Sequence, residues 1–441
     1  MKKVFWFLIA AFYVLTLCFS ASEGEKEASV TEEDIYKYME QVATIFTIVE
    51  KNYVDPVEKK KLIYGAMKGI VGELDPHSQF MDPDIHKEMK IETEGEFGGL
   101  GIEITVRDDQ LTIIAPIEGT PAHRAGLKTG DKIIKIEEER TKDLTLMEAV
   151  SKLRGKPGTK VHLTVVRSNQ KILEFDIVRD VIRVESIKDE EIIEDGIGYI
   201  RIVQFQEQTG RDFEKILSDL EARGMKALIL DLRNNPGGLL KTAIDVADKF
   251  IEGGQVIVSI QGRLPSQNVV FKSRERATHK KYPMVILING GSASGAEIVA
   301  GALRDYKKAI LLGEKTFGKG SVQSVIPMAD GSALRLTTAK YFIPSGVTIH
   351  GLGIEPDILV DISDEDEVKL ALKKYRKLEK MLSEGEQENK DNNRGQEDDD
   401  EVEKDDEGEE DVQLQRAIDL LKAMEVFDKS LSDEPSFTGG K

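Results

Sequence analysis

Apolar runs alternate with amphipathic segments over residues 197–313, and this alternation constrains the fold more than any other feature of the chain. Runs such as KALILDL and PMVILI have the length of buried strands, whereas RDFEKILSDLEARG and GLLKTAIDVADKFI have the pattern of helices. Buried strands separated by helices of this length are typical of α/β domains. We therefore predict an α/β domain over residues 190–375.

Two segments of different texture precede this domain. Residues 31–90 repeat apolar side chains at spacings of three or four, so we predict a helical segment, capped at its start by Thr31 and Asp34 and broken by the turn-rich sequence DPHSQFMDPD. Residues 95–180 contain short strands, glycine turns and two short helices, which indicate a β-rich module. The chain is thus predicted to be an α+β multidomain protein.

The C-terminal part of the chain carries most of the charge. Residues 384–411 hold 16 acidic and 3 basic side chains, which account for most of the net charge of −19. We predict that residues 380–411 are a disordered acidic tail, because they are too charged to bury a core. Residues 412–428 form one amphipathic helix that docks either on the body of the protein or on a partner. No basic stripe is present, so nucleic acid is not expected as a partner.

The first 21 residues have the plan of a secretory signal peptide. Two lysines precede an apolar run over residues 4–19, and small residues follow it. The protein is therefore expected to be exported, to the periplasm or another extracytoplasmic site. Two alternatives are that the run stays as a membrane anchor and that Cys18 is lipidated. Cys18 is the single cysteine of the sequence, so cleavage after it leaves neither a thiol nucleophile nor a disulfide.

A glycine-flanked pair of serines follows the apolar run MVILI. In NGGSASGAE, residues 289–297, Ser294 would stand at the N-terminus of the next helix, where free N–H groups favour a developing anion. The turn DLRNNPGG, residues 231–238, follows another buried strand, and its N–H groups could complete an oxyanion hole with that of Gly295. Each such donor contributes roughly 2.7–4 kcal/mol. Taken alone, a turn containing serines is more often structural than catalytic.

A nucleophilic serine needs a base, and the histidines offer none in sequence. His279 and His350 lie in a charged stretch and after a turn, without an evident orienting carboxylate. Lys319, in TFGKGSVQ, can serve if burial lowers its pKa. On spacing alone, a solvated turn lysine is the commoner alternative.

Several motifs together resemble a known family. GSASGAEIVAGALRDY and GEKTFGKGSVQS are similar to the active-site region of the carboxy-terminal processing peptidases, the tail-specific serine proteases of family S41. LDPHSQFMDP, FGGLGIEI, TPAHRAGLKTGDKI, LRGKPGT and GIEPDI resemble further family motifs, in family order, over residues 35–370. The resemblance implies that Ser294, rather than Ser292, is the nucleophile and that Lys319, 25 residues later, is its base.

The resemblance also implies roles for residues around this pair. Gln323 would orient the lysine, Gly237 and Gly295 would supply oxyanion-hole N–H groups, and Asp305 would support structure near the site. Residues four apart on a straight strand are separated by about 13 Å. A contact between Gln323 and Lys319 therefore requires a bend in the intervening chain.

Residues 95–180 resemble a PDZ domain. The loop implied to bind a peptide's terminal carboxylate consists of Gly99, Leu100, Gly101 and Ile102. The strand that follows would pair with the peptide, and its apolar residues, with the helix LMEAVSKL, would line a pocket for an apolar terminal residue. Arg154 is either a helix-end cation or a sensor of the bound carboxylate or of the protease core.

These features predict an exported serine endopeptidase that recognises protein C-termini through its PDZ domain and cleaves through a Ser–Lys acyl-enzyme. Protein or peptide tails are the expected partners, and membrane association and a homo-oligomer built by the terminal helices stay open. No cofactor or metal is expected, because the sequence has no His-x3-His or Cys pair. One alternative is a PDZ adaptor on a degenerate protease fold, which binds tails without cutting them. Another is a histidine-dependent secreted protease with a PDZ domain.

Overall fold

The computed structural model describes residues 31–107, 110–167, 171–274, 279, 281–362 and 411–432. The chain divides after Pro76 into two compact units. The predicted signal peptide lies outside the described residues, and so does the acidic tail except for Asp411.

The first unit contains two helices, α1 (Glu32–Asn52) and α2 (Lys59–Gly72). The Thr31 hydroxyl accepts from the N–H of Asp34, and the Asp34 carboxylate accepts from the N–H of Thr31. This reciprocal capping satisfies two of the N–H groups that a helix start leaves free. The predicted cap of the first helix is confirmed.

The second unit begins with β1 (Gln79–Met81) and α3 (Pro83–Glu94). The prediction that residues 31–90 are helical apart from a turn is wrong at β1, which pairs antiparallel with residues 333–335. Phe80 and Met81 are buried there. A three-residue strand is stabilised by a partner about 250 residues away in sequence rather than by its own pattern. Local periodicity therefore does not reveal it.

The β-rich module between residues 95 and 183 is attached by a two-stranded ribbon. Its elements are β2 (Glu96–Gly99), β3 (Ile102–Arg107), β4 (Gln110–Pro116), α4 (Pro121–Arg124), β5 (Lys132–Ile136), β6 (Glu139–Arg140), α5 (Leu146–Leu153), β7 (Lys160–Arg167), β8 (Lys171–Val178) and β9 (Asp180–Arg183). β2 pairs with β9, while the other strands form an antiparallel sheet in the order β3-β4-β5-β7-β8, with β6 on β5. β3 is therefore an edge strand with one side unpaired.

The α/β domain is built on a six-stranded sheet. Its strands are β10 (Ile187–Ile192), β11 (Ile197–Ile202) and β12 (Ala227–Asp231), and helices α6 (Thr209–Ala222) and α7 (Leu240–Asp248) accompany them. After β13 (Val256–Gly262) and β14 (Val269–Lys272), which belong to another sheet, come β15 (Met284–Ile288), α8 (Gly295–Asp305) and β16 (Ile310–Gly313). With β19 (Ile358–Leu359), the order is β10-β11-β12-β15-β16-β19, parallel from β11 onward. The predicted strand–helix alternation is confirmed.

A second sheet of the domain carries the chain that follows Lys319. The hairpin β17 (Ser321–Pro327) and β18 (Ala333–Phe342) joins β13 and β14, and β18 also pairs with β1. Tyr341 of β18 packs in the same buried cluster as Ile298 and Ala302 of α8. The second sheet thus lies against the helix that begins at Ser294.

The C-terminal helix α9 (Val412–Ser432) covers one face of the six-stranded sheet. Ala417, Ile418 and Leu421 are buried against side chains of β11, β12 and β15, whereas α6, α7 and α8 cover the opposite face. Of the two predicted alternatives, docking on the body of the protein is confirmed. No helix within the described residues is both long and apolar enough to span a bilayer.

Candidate active site

Ser294 occupies a strained corner between β15 and α8. Its backbone has φ 54° and ψ −111°, a region that residues other than glycine rarely adopt. Such strain persists only where the surroundings hold it, and it is concentrated at functional sites. The side chain stands at the start of the helix, as the sequence predicted, and the residue is 7% exposed.

Ser292 has a different task from Ser294. It is fully buried, and its hydroxyl donates to the carbonyl oxygen of Leu232 at 2.8 Å. This bond ties the serine turn to the loop after β12. A hydroxyl committed in this way serves the structure, which leaves Ser294 as the serine available for chemistry.

Glu297 holds the backbone of the site together. Its fully buried carboxylate accepts from the N–H of Ser294 at 2.8 Å, the N–H of Gly318 at 2.8 Å, the N–H of Lys319 at 2.9 Å and the hydroxyl of Thr316 at 2.6 Å. Burial raises the pKa of Glu297, although these four bonds oppose the rise. The sequence reasoning missed this residue, yet Ser294 followed by Glu297 has the spacing of a capping box.

The shared carboxylate brings the two predicted catalytic residues together at backbone level. The N–H groups of Ser294 and Lys319 donate to the same oxygen, Oε2 of Glu297. The two nitrogens are therefore no farther apart than the sum of the two hydrogen-bond lengths, 2.8 and 2.9 Å.

The side chain of Lys319 is partly buried and lacks a hydrogen-bonding partner among the described residues. Burial lowers the pKa of its ammonium group, the positive charge of Arg335 lowers it further, and Glu297 opposes both. The direction of this shift is the one that a lysine acting as a base requires. The Nζ atom is not hydrogen-bonded to Ser294 in this structure.

Tyr341, rather than the amine of Lys319, is hydrogen-bonded to Ser294. Its hydroxyl lies 3.1 Å from Oγ of Ser294, and the residue is 5% exposed. Burial raises the pKa of the phenol, partly opposed by the bond to Ser294. No local pattern indicates a role for this residue, because it lies 47 positions after Ser294 on another sheet.

Gln323 lies on β17 and does not contact Lys319. Its amide nitrogen donates to the hydroxyl of Ser321 at 2.7 Å and that of Thr337 at 3.4 Å. The register of β17 on β18 is irregular between Val322 and Gln323, but this irregularity does not bring the amide of Gln323 into a hydrogen bond with Lys319. The orienting role of Gln323 stays a prediction.

The two predicted oxyanion-hole donors lie beside Ser294 but differ in their hydrogen bonds. Gly237 has φ 97°, and a Cβ atom there would lie 2.6 Å from Cβ of Ser294. Its N–H donates to Oδ1 of Asn235 at 2.8 Å, whereas the N–H of Gly295 has no partner within the described chain. Of these two predicted donors, Gly295 is therefore the one whose N–H is free among the described residues, and that of Gly237 would become available if Asn235 moved.

Asp305 lies at the opposite end of the nucleophile helix. It is the last residue of α8, and its carboxylate accepts from the N–H of Ser345 at 2.9 Å. This contact fixes the turn after β18. It fits the predicted structural role, at a distance of one helix length from Ser294.

The predicted carboxylate-binding loop connects β2 with β3. Leu100 is buried, Gly101 has φ 76°, and the carbonyl oxygens of both accept N–H groups, from Ala122 and Ile117 respectively. Gly99 ends β2 and Ile102 begins β3. A cavity of about 240 Å³ lies between β3 and α5, lined by Val106, Leu111, Thr141, Lys142, Leu144, Thr145, Leu146 and Ala149.

Arg154 is the residue at which α5 ends, with its N–H bonded to the carbonyl oxygen of Val150. Its guanidinium forms an ion pair with Glu88 of α3 and lies 4.5 Å from the centre of the Phe97 ring. The helix-end position is confirmed, and the sensor role stays a prediction. Within the described ranges, no group of three or more His, Cys, Asp or Glu side chains is arranged to hold a metal ion.

His279 differs from the expectation that it has no orienting carboxylate. Its two ring nitrogens lie 3.1 Å from a carboxylate oxygen of Glu221 and 3.2 Å from one of Glu214, both on α6. Its sequence neighbours gave no sign of this, because both carboxylates lie about 60 residues earlier. This histidine is packed beside Phe250, and no contact links it to Ser294.

Comparison with known proteins identifies the family and the domains of the chain. The sequence profile of peptidase family S41 matches residues 196–360, and that of the PDZ domain matches residues 98–178. The profile described as the activating protease CtpB N-terminal domain matches residues 10–85. A carboxy-terminal-processing protease of Bartonella bacilliformis is 42% identical over 82% of this chain and 83% of its own length.

The chain belongs to the carboxy-terminal processing proteases of peptidase family S41. The carboxy-terminal processing protease CtpA of Bacillus subtilis is also similar, at 36% identity over 77% of this chain and 72% of its own length. Among solved structures, a photosystem II D1 C-terminal processing protease aligns over 75% of this chain and 94% of its own, with 25% identity and a TM-score of 0.43. The family resemblance and the mixed fold with a PDZ domain are thus confirmed for this processing protease.

Proposed function

We propose that this processing protease is an exported serine endopeptidase that captures protein C-termini with its PDZ domain and cleaves with Ser294 and Lys319. The observation that carries the proposal is the shared contact of both residues with the buried carboxylate of Glu297. It fixes a serine at a helix N-terminus and a lysine of lowered pKa within one small site.

For the reaction, the hydroxyl of Ser294 must break its hydrogen bond with Tyr341 and form one with the amine of Lys319. The flexible four-carbon stem of a lysine can supply that movement, while the backbone of Lys319 stays bonded to Glu297. A neutral amine then accepts the proton of Oγ as that oxygen attacks the carbonyl carbon of the substrate.

The attack converts the carbonyl into a tetrahedral oxyanion, which the N–H of Gly295 stabilises, joined by that of Gly237 once Asn235 releases it. The lysine ammonium returns its proton to the leaving nitrogen, so the peptide bond breaks and an ester to Ser294 remains. A water molecule then attacks the ester carbonyl and gives its proton to Lys319. The second tetrahedral intermediate collapses, Oγ regains a proton, and a new carboxyl terminus leaves.

Tail recognition is assigned to the module between β2 and β9. The unpaired side of β3 offers backbone groups to an extended peptide, and the preceding loop offers N–H groups to its terminal carboxylate. The cavity lined by Val106, Leu111 and Ala149 contains none of the loop residues 99–102, so the pocket for the terminal side chain is not assigned to it. The relatives' names as carboxy-terminal processing proteases support the same substrate class.

Export follows from the N-terminal sequence. The lysines and apolar run of residues 1–21 support secretion to the periplasm or another extracytoplasmic compartment. Retention of the run as an anchor, or lipidation at Cys18, would hold the enzyme at the membrane surface.

The test compares wild type with Ser294→Ala and Lys319→Ala on one unstructured protein substrate made with either an apolar or a charged C-terminus. We expect wild type to cleave the apolar form faster and both variants to be inactive. Cleavage by either variant contradicts the Ser–Lys mechanism, and equal rates on both substrates contradict tail recognition. Binding of tails without any cleavage by wild type would identify the adaptor instead.

A further inference from the structure

The C-terminal helix reaches the loop that borders the nucleophile. Arg233 lies two residues after the end of β12, in the loop of residues 231–238 that contains Gly237. Its guanidinium donates to both carboxylate oxygens of Asp411, at 2.9 and 2.7 Å, and to Oε1 of Gln413 at 3.2 Å. Asp411 immediately precedes α9.

The same guanidinium is held from its other side by Asp231. Nε of Arg233 donates to Asp231 at 3.0 and 3.1 Å, and one terminal nitrogen donates at 2.6 Å. The hydroxyl of Tyr199 donates to Asp231 at 2.8 Å. Two carboxylates therefore clamp one planar cation in the bidentate geometry that arginine favours.

The clamp lies at the start of a short path to the nucleophile. Asn235 accepts the N–H of Ala293 on its carbonyl oxygen and the N–H of Gly237 on its side chain. Its side-chain nitrogen donates to the carbonyl oxygen of Ile202. One residue, Asn234, separates Arg233 from Asn235, so the position of Arg233 limits the positions of Gly237 and the serine turn.

The apolar face of α9 is sufficient to explain docking without the clamp. Ala417, Ile418 and Leu421 are buried against the sheet, and removal of apolar side chains from water favours such docking. A buried ion pair adds little net stability, because desolvation offsets most of the attraction. The clamp instead fixes the position of Arg233 relative to the start of α9.

The hydrogen bonds between Arg233 and Asp411 favour the charged form of both side chains. Burial alone would lower the pKa of Arg233, but its bonds to Asp231 and Asp411 raise the pKa above the ordinary value. Burial alone would raise the pKa of Asp411, but its bonds to Arg233 lower it below the ordinary value. The side chain of Arg233 is 12% exposed and that of Asp411 is 27% exposed.

We propose that Asp411 is a positioning residue of the protease, which acts through Arg233 to hold the loop of residues 231–238, and with it Gly237, beside Ser294, where release by Asn235 frees the Gly237 N–H for the oxyanion. The C-terminal helix is thereby coupled to catalysis as well as to the fold. This inference rests on the proposed function, since it requires the loop to face the tetrahedral intermediate.

The decisive variant is Asp411→Asn in the full-length protein. Asparagine caps a helix as well as aspartate does, so the bond from Asp411 to the N–H of Leu414 is replaceable. Arg233 also keeps Asp231, so no unpaired buried charge is left. We expect kcat to fall about tenfold, while KM and the melting temperature stay close to the wild-type values.

The matched control is Lys422→Ala on the same helix. Lys422 pairs with Glu194 and Asp195 at the surface, away from the loop, so its removal should leave kcat within twofold of wild type. Arg233→Lys keeps the positive charge but loses the bidentate geometry, and should reproduce the loss in kcat. A peptide aldehyde, whose adduct with serine carries an oxyanion, should bind Asp411→Asn weaker by the same factor.

Each result bears on one claim. A kcat for Asp411→Asn within twofold of wild type overturns the inference, and so does an equal loss in Lys422→Ala or unchanged affinity for the aldehyde. If Asp411→Asn is unstable, the kcat of Arg233→Lys and the affinity of that variant for the peptide aldehyde test the inference in its place. Failure of the proposed function is distinct, because wild type would then show no cleavage that depends on Ser294.

Discussion

The turn at Ser294 holds its backbone N–H groups on a carboxylate, and under the proposed function the PDZ loop also receives one, but the carboxylate comes from a different place in each. At the active site it is built in: Glu297 is fully buried and occupies the N–H groups of Ser294, Gly318 and Lys319. In the PDZ loop the carbonyl oxygens are occupied, while the N–H groups of Leu100 and Gly101 have no partner among the described residues.

This difference predicts a rigid backbone at the turn of Ser294 and a loop open to a ligand in the PDZ domain. An internal anion fixes the backbone before any substrate arrives, which suits chemistry that loses rate with small displacements. A loop with free N–H groups leaves its anion to be supplied by the ligand. Substitutions at the first region should therefore change kcat, and substitutions at the second should change KM.

The largest effect on kcat is expected from removal of the proposed base, Lys319. Lys319→Met should lower kcat at least roughly a thousandfold, as loss of a member of a catalytic set does. Lys315→Ala is the control, because Lys315 lies on the same loop and pairs with Glu355 at the surface. A comparable loss in both variants would assign the effect to the loop rather than to the amine.

The same lysine predicts the sign of the pH dependence. The pKa of Lys319 is lowered, so the neutral amine forms at a lower pH than for an ordinary lysine, yet is lost as the pH falls through that pKa. We expect kcat to fall about tenfold for each pH unit below it. A kcat that stays constant well into acid would exclude a lysine base.

Gly237→Ala should have the next largest effect. A Cβ atom at this position would lie 2.8 Å from the carbonyl oxygen of Ala293 and 2.8 Å from the nitrogen of Gly295, and φ is 97°. The loop must then move, and kcat should fall about a hundredfold through loss of oxyanion donors. Gly254→Ala is the control, since it has φ 81° but open space around it; similar losses would show that backbone strain alone is responsible.

Tyr341→Phe should raise kcat up to about tenfold, since the proposed reaction must first break the hydrogen bond from Tyr341 to Oγ of Ser294, worth roughly 0.5–1.5 kcal/mol, and phenylalanine keeps the ring packed. Tyr306→Phe removes a similar hydroxyl, bonded to Val256 at 2.9 Å, and should leave kcat unchanged. Steady-state rates measured on one peptide substrate compare the two. Equal rates for Tyr341→Phe and wild type would show that the tyrosine only fills space.

The smallest effect on kcat is expected in the PDZ loop. In Gly101→Ala the new Cβ would lie 2.3 Å from Cβ of Thr120, and φ is 76°, so the loop must change shape. KM for a substrate with an apolar tail should rise about tenfold, with kcat unchanged. Gly126→Ala, at φ 82° in open space, tests the strain alone. A fall in kcat without a change in KM would contradict the division between the two regions.

The sequence predicted the parts of the protein whose signals are local. The strands and helices over residues 197–313 follow from apolar periods, and the cap at Thr31 from a pattern of four residues. Ser294 and Lys319 were found because a family resemblance linked two short motifs. The strand β1 was missed because its partner is distant in sequence.

Long-range contacts explain the other omissions. Tyr341 and Asp411 reach the site from other elements, and neither has a neighbour in sequence that indicates a task. Glu297 did carry a local signal, the capping-box spacing after Ser294. Its role as a shared anchor depends on Gly318 and Lys319, which only the folded chain brings to it.

The ribbon of β2 and β9 has a consequence for protein engineering. Glu96 and Arg183 are opposite each other in its register and form an ion pair at 3.0 Å, and paired strands are about 4.8 Å apart. The chain thus leaves the α/β domain and returns to it at nearly one point. A short hairpin turn between Glu96 and Arg183 would delete the PDZ domain, and another domain grafted there would test whether the choice of substrate follows the grafted domain.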